Sequence, residues 1–230
     1  EASRKLSADG VTLAAEAIRT TDTFAKVSCR KAELSGKTAN IAGIAKGSGM
    51  INPKLATMLC FIVTDAAVDK SALQDDARTC ADETFNRICV DNDMSTNDVV
   101  FVLANGLAGN KPVKNENKER GKFRKALASV MADLAAMIVQ DGEGATKLIA
   151  VNVLNAASDG DAEKAARNIA NSMLFKTAMY GQDPNWGRIM ASLGGSGAKV
   201  DPCRVGVKFM VQGGSSVQVV KNGCGVRFDE

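Results

Sequence analysis

Thr57 stands between a glycine-bearing loop and an apolar run, in the stretch GIAKGSGMINPKLATML (residues 43–59). Glycines at 47 and 49 let backbone amides approach an anion or a developing oxyanion. A nucleotide P-loop does not fit. That motif ends Gly-Lys-Ser/Thr ahead of a helix, whereas here Lys46 precedes Gly47-Ser48-Gly49 and a strand pattern follows. The chain contains no histidine, which removes the usual general base and the commonest metal ligand and excludes Ser-His-Asp and Cys-His sites within it. A hydroxyl nucleophile such as Thr57 must then be activated by a lysine, a carboxylate or a chain-terminal amine. On spacing alone the stretch also reads as an ordinary turn followed by a strand-opening threonine.

Elements that position this stretch follow from periodicity. Residues 9–18 are alanine-rich and helical in pattern. Residues 25–30 and 38–44 alternate as strands around the turn signal Ser35-Gly36. Residues 58–64 (MLCFIVT) and 99–104 (VVFVLA) are continuous apolar runs of strand length. Leu73, Ala77, Ala81, Phe85 and Ile88 recur at helical spacing and predict about five turns. Phe123, Leu127, Val130, Met131, Leu134 and Ile138 predict a second amphipathic helix, ended by Asp141-Gly142. Beyond it, the pattern predicts a strand over 148–153 and helix over most of 161–180, with Asp161 as N-cap. A hairpin is predicted over 205–211 and 217–220, around Gly213-Gly214. Strands and helices in this order predict a layered α/β or α+β fold. The one weak linker signal is 109–121.

Composition narrows the function classes. The 230 residues are 45% hydrophobic, enough for a real core, and no run of about 18 apolar residues is present. The formal charge of +3, from 29 basic and 26 acidic residues, is too small to imply nucleic acid. The basic run 111–125 is interleaved with acidic residues and reads as a solvated loop entering a helix. Six cysteines include no Cys-x-x-Cys pair, and Cys60 lies in an apolar run as a small core residue. Reduced thiols are expected, and no metal is expected.

Five segments, in order along the chain, resemble the ornithine acetyltransferase family, the glutamate N-acetyltransferases of arginine biosynthesis. They are AIRTTDT (17–23), AKGSGMINPKLATMLCFIVTDA (45–66), STNDVVFVLANGLAG (95–109), QDGEGATKLI (140–149) and GQDPNWGRIMASLG (181–194). The resemblance implies a chain that cleaves itself between Ala56 and Thr57. Thr57 then takes an acetyl group from N-acetylornithine and passes it to glutamate. It implies no cofactor, with acetyl-CoA accepted as acetyl donor by many members. An exposed α-amine titrates at about 7.7–8 and shares a residue with the hydroxyl, so cleavage would supply the base this histidine-free chain lacks. By motif match, Thr20 (with Thr21 as the adjacent alternative), Lys46 and Glu143 are implied substrate contacts. Lys46 would face the substrate carboxylate and Glu143 a cationic amine. Asp183-Pro184-Asn185-Trp186-Gly187-Arg188 is equally recognisable but reads as architecture, with Trp186 packed beneath the site.

The implied fold is a multilayered α/β/β/α sandwich of the self-cleaving aminopeptidase and ornithine acetyltransferase type. Residues 1–56 would end an α subunit and 57–230 would begin and fill the middle of a β subunit, in one intertwined globular unit. The two subunits would stay together and pair into a heterotetramer. The default location is the cytoplasm, or a mitochondrion or plastid in a eukaryote, with no membrane or nucleic-acid partner. The family's upstream Thr-Gly oxyanion pair and its C-terminal substrate contacts have no counterpart in the chain, so an internal piece or a truncated product is expected. Two other readings remain open. One is a self-processing aminopeptidase-like hydrolase, whose relatives use serine where Thr57 stands. The other is an inactive fragment that retains only the fold.

Overall fold

A two-residue turn sets the first hairpin. Ser35 and Gly36 both take positive φ, 52° and 75°, the conformation whose twist matches paired strands. It joins β1 (Lys26–Leu34) to β2 (Lys37–Lys46) in an antiparallel ladder running from Leu34↔Lys37 to Lys26↔Ala45. The computed structural model describes residues 7, 10–52, 58–116, 118–211 and 213–227. Ala56 and Thr57 therefore lie outside the described residues. The chain divides into two compact units, Glu1–Ala145 and Thr146–Glu230.

In the first unit, β2 pairs antiparallel with β3 (Leu59–Thr64), and β3 pairs in parallel with β4 (Val99–Ala104). Between β3 and β4 the chain crosses through α2 (Lys70–Glu83). After β4 comes α3 (Lys118–Gln140), and α1 (Gly10–Ala17) precedes the sheet. The predicted apolar stripe of α3 is the buried one: Phe123, Leu127, Val130, Met131, Leu134 and Ile138 are 0% exposed. Most of them pack with Ile41, Ala45, Cys60 and Ile62 of the sheet. Each such buried side chain contributes about 1.5–3 kcal/mol. Gly43 lets helix and sheet meet, because a Cβ there would stand 3.0 Å from both Ile62 Cγ1 and Leu134 Cδ1. The opposite sheet face is also apolar. Phe61 and Phe101 stack there at 5.6 Å, and Val63 and Leu103 are half exposed.

The second unit packs α4 (Asp159–Asn171), α5 (Met173–Tyr180) and α6 (Trp186–Gly194) with a three-stranded antiparallel sheet. Its strands are β5 (Val207–Met210), β6 (Ser216–Lys221) and β7 (Cys224–Gly225). Ile169, Phe175 and Ile189 form the centre of this core, against Val207 and Phe209. Each unit thus sets helices on a sheet, and the mixed α/β class is the expected one.

Several local expectations are corrected. The helix over 73–88 stops at Glu83, because Thr84 leaves helical geometry (φ −127°, ψ −85°), and a single 3-10 turn follows. Residues 148–153 pair with no strand among the described residues. An apolar run needs burial more than a ladder, and Val151 finds it against the Ile169–Phe175–Ile189 cluster. The helix over 161–180 is two helices, broken at Ser172, whose hydroxyl caps α5 by accepting from Phe175 N at 3.2 Å. The N-cap of α4 is Ser158, not Asp161: Ser158 Oγ accepts from Asp161 N at 3.1 Å and donates to the Asp161 carboxylate at 2.9 Å. Residues 109–121 are no linker, since Val113 is 0% and Asn110 6% exposed within the first unit.

Candidate functional site

Three segments far apart in sequence meet at one end of the first unit's sheet: the Thr20–Thr23 turn ahead of β1, the end of β2 at Lys46 with the Gly47–Gly49 loop after it, and the Asp141–Gly144 turn after α3. Lys46 Nζ donates to Thr20 Oγ1 at 3.3 Å. The hydroxyl that receives it belongs to Thr20, not Thr21. Lys46 is itself buried at the last position of β2, opposite Leu59 of β3. Leu59 is two residues after Thr57 in sequence, so the described start of β3 lies beside the Lys46 ammonium stem.

Glu143 joins the same loop. Its N–H donates to Ser48 O at 3.2 Å. Its carboxylate lies over Gly49 so closely that a Cβ there would be 2.8 Å from Oε1. A side chain at 49 would push the Glu143 carboxylate aside, a shift its exposed, flexible chain can make. Glu143 and Thr20 are exposed, so the site opens to solvent. Thr20, Lys46 and Glu143, all named from sequence, are brought together here.

The chain on either side of residues 53–57 is strapped to one loop. Asp91 Oδ2 accepts from Met50 N at 2.7 Å and its Oδ1 from Ile51 N at 3.1 Å. Asn52 Nδ2 donates to Asn92 O at 2.7 Å, and Val90 N donates to Ile51 O at 2.7 Å. On the far side, Asp98 Oδ1 accepts from Met58 N at 2.8 Å, and Val99 N donates to Met58 O at 3.0 Å. The other Asp98 oxygen, Oδ2, is buried with no partner among the described residues. Burial pushes the Asp98 carboxyl above the ordinary range, against the downward pull of the Met58 N–H and the Lys46 ammonium. Asp98 belongs to the STNDVVFVLANGLAG segment (95–109), one of the five that carry the family resemblance.

Sequence reasoning missed the group beneath the three loops. Lys26 Nζ, 0% exposed, donates to Asp22 Oδ1 at 2.6 Å and Asp141 Oδ2 at 2.5 Å. Asp22 also accepts from Gly47 N at 2.7 Å and Thr20 N at 3.2 Å. Asp141 accepts from Thr23 N at 2.9 Å and from the Thr23 hydroxyl. Burial alone would raise both carboxyls. The Gly47 N–H and Lys26 outweigh it at Asp22, and Lys26 and Thr23 outweigh it at Asp141, so both are held below the ordinary range. The available signal was phase: Lys26 and Ser28 are polar residues on the inward side of a strand otherwise read as ordinary.

The DPNWGR segment is structural within the second unit. Asn185 caps α6, accepting from Arg188 N at 3.3 Å, and Arg188 Nη1 donates to Leu174 O at 2.7 Å and Thr177 Oγ1 at 3.0 Å. Trp186 packs on Gly225, where a Cβ would fall 2.8 Å from the indole. Among the described residues no group of three or more Cys, Asp and Glu side chains is placed to hold a metal ion, and no helix is long and apolar enough to cross a membrane.

The model of the ArgJ family matches residues 1–230. The chain is 50% identical over 229 residues to "Arginine biosynthesis bifunctional protein ArgJ" of Symbiobacterium thermophilum, covering 100% of this chain and 56% of that protein. It is 54% identical over 205 residues to the protein of the same description from Geobacter sulfurreducens, covering 87% and 52%. The chain thus spans about half the length of the curated relatives it matches. A crystal structure of arginine biosynthesis bifunctional protein argJ from Bacillus halodurans superposes with a TM-score of 0.68 at 42% identity, over 74% of this chain and 77% of that one.

Proposed function

The chain belongs to the ArgJ family, and from that premise we propose that its complete gene product transfers an acetyl group from N-acetylornithine to glutamate, with Thr57 as nucleophile. The observation that carries the reading is the meeting of Lys46 with Thr20 at 3.3 Å, beside the start of β3. An ammonium, a hydroxyl and the exposed Glu143 carboxylate converge on one loop, and these suit an amino-acid substrate with an anionic and a cationic end.

The chemistry runs in three stages. First, Thr57 Oγ attacks the Ala56 carbonyl and the acyl group moves from nitrogen to oxygen, which breaks the C–N bond and frees the Thr57 amine; water then hydrolyses the ester, leaving the Ala56 carboxylate and the Thr57 hydroxyl. Second, that amine takes the hydroxyl proton as Oγ attacks the acetyl carbonyl of N-acetylornithine. The C–N bond breaks, and the proton passes to the departing ornithine nitrogen. Third, the glutamate amine attacks acetyl-Thr57, releasing N-acetylglutamate and restoring the hydroxyl. Lys46 holds the substrate carboxylate, where a charge-assisted contact contributes about 1.5–3 kcal/mol. Glu143 faces the cationic side-chain amine of ornithine. Many family members accept acetyl-CoA as donor, and none of these steps needs a cofactor.

Cleavage at this point divides the sheet between β2 and β3, whose ladder from Ile41↔Thr64 to Lys46↔Leu59 would hold the two products together. The packing of α3 on β1 and β2 adds to that hold. A pair of such heterodimers, forming a heterotetramer in the cytoplasm, completes the reading. The test is to incubate the gene product with N-acetylornithine and glutamate. N-acetylglutamate should form, and quenched enzyme should carry one acetyl group on the peptide beginning at Thr57. Release of free acetate in place of N-acetylglutamate would favour a hydrolase.

A further inference from the structure

We propose that Lys26 is a positioning residue for the acetyl-transfer site, its buried ammonium clamping Asp22 and Asp141 so that Thr20, Lys46 and Glu143 stand where a substrate meets them. This rests on the functional reading above. It assigns a role to a residue that touches none of the substrate atoms.

Lys26 begins β1, and its side chain is 0% exposed, beside the Phe24 ring at 4.8 Å. Its two carboxylate partners come from different places, Asp22 four residues before it and Asp141 115 residues after it. Each carboxylate uses its remaining capacity on the loops. Asp22 takes the N–H of Gly47, directly after Lys46, and the N–H of Thr20. Asp141 takes the Thr23 N–H and hydroxyl, closing the first turn onto the third. The backbone completes the circuit, since Ser48 Oγ donates to Asp141 O at 2.6 Å and Glu143 N to Ser48 O at 3.2 Å. One ammonium therefore fixes the relative places of all three segments.

Stability alone is a poor account of such a cluster. Burying charges is costly, and apolar residues of similar volume often serve a core as well or better. What an ion cluster adds is direction, because each lone pair must meet a particular donor. Here those donors are the backbone amides of residues 20, 23 and 47, in the loops that carry the substrate contacts. Lys26 acts through them.

The test uses the complete gene product and compares wild type, Lys26→Met, Lys46→Met and the double variant, at a temperature where circular dichroism shows each folded. Lys26→Met should raise KM for N-acetylornithine by about tenfold or more with kcat much less affected, the pattern of lost ground-state positioning. In the Lys46→Met background it should add less than about twofold, because residues acting through one another are not additive. Amide exchange should quicken in residues 20–23, 47–49 and 141–144 and stay unchanged in α2. A folded Lys26→Met enzyme with wild-type KM, effects that simply multiply, or faster exchange throughout the first unit would overturn the proposal. If Lys26→Met does not fold, Asp22→Asn keeps the shape and an acceptor for Gly47 N while weakening the ion pair, and the same readouts decide. If wild type itself transfers no acetyl group, the functional reading fails, whereas the exchange pattern still tests the clamp.

Discussion

Lys46 reaches the hydroxyl of Thr20 at 3.3 Å across 26 residues of chain, and the N–H groups of Thr20 and of Gly47, directly after Lys46, both bind Asp22 of the same buried ion cluster. A lysine that is 8% exposed at the end of a strand has given up much of its hydration. A charged ligand that replaces that hydration gains accordingly.

Lys46→Met and Glu143→Gln should each lower kcat/KM for acetyl exchange by about ten- to a hundredfold, the effect of losing one charge-assisted contact. Neither should move the thermal midpoint much, since Glu143 is exposed and Lys46 donates at long range. Steady-state kinetics beside a melting curve checks this. Wild-type kinetics in both variants would remove these residues from the site.

Asp91 and Asp98 hold the chain on the two sides of residues 53–57. Asp98→Ala and Asp91→Ala should slow the appearance of the cleaved subunits in freshly synthesised protein. The expected slowing is at least about tenfold, since small misplacements of reacting groups are costly in rate. Time courses on denaturing gels give the rate. Unchanged cleavage in both variants would mean the straps are structural only.

Much of this arrangement was legible in residue patterns. Ser35-Gly36 marked the hairpin turn, residues 99–104 formed the strand expected of them, and the stripe from Phe123 to Ile138 is the buried face of α3. Thr20, Lys46 and Glu143 were found by resemblance and are brought together by the fold. The cluster that links their loops was not legible, because it depends on Lys26 meeting a carboxylate 115 residues away, and no local period encodes that. The helix of residues 186–194 escaped notice because its N-cap, Asn185, lies inside a motif read as architecture without an element assigned to it. The overlong helix at Thr84 shows the converse. Phe85 and Ile88 kept the helical period after the backbone had left the helix, because Phe85 is buried and Ile88 packs against the same core.

Acid stability should reveal carboxylates of opposite sign. Asp22 and Asp141 titrate below 3.8 when folded, so their stabilisation is complete above about pH 4 and lost as pH falls through the folded values. Asp76 runs the other way. Burial raises its carboxyl despite the Arg120 bond at 2.9 Å, and its Oδ2 is buried without a partner among the described residues. The folded state takes up that proton first, so this group adds stability as pH falls toward 3.8. Asp76→Asn should therefore leave the urea midpoint at neutral pH unchanged or raised, and should flatten its rise on mild acidification. A clear fall at neutral pH would show that the Arg120 pair is net stabilising.

Gly43→Val should destabilise the first unit by about 1–3 kcal/mol or more, as overpacking does. The added atoms would meet Ile62, Leu134 and Val130 at once. Chemical denaturation measures it, and a variant as stable as wild type would mean that α3 can shift away from the sheet at little cost.

Thr57 is proposed to become an N-terminal nucleophile, and N-terminal sequencing of the purified complete gene product, made without added protease, reads this out. Two chains are expected, the second reading Thr57-Met58-Leu59-Cys60, with Thr57→Ala giving one folded, inactive chain. A single uncut chain that carries out full acetyl exchange would contradict it, because the amine proposed as base would never have been released.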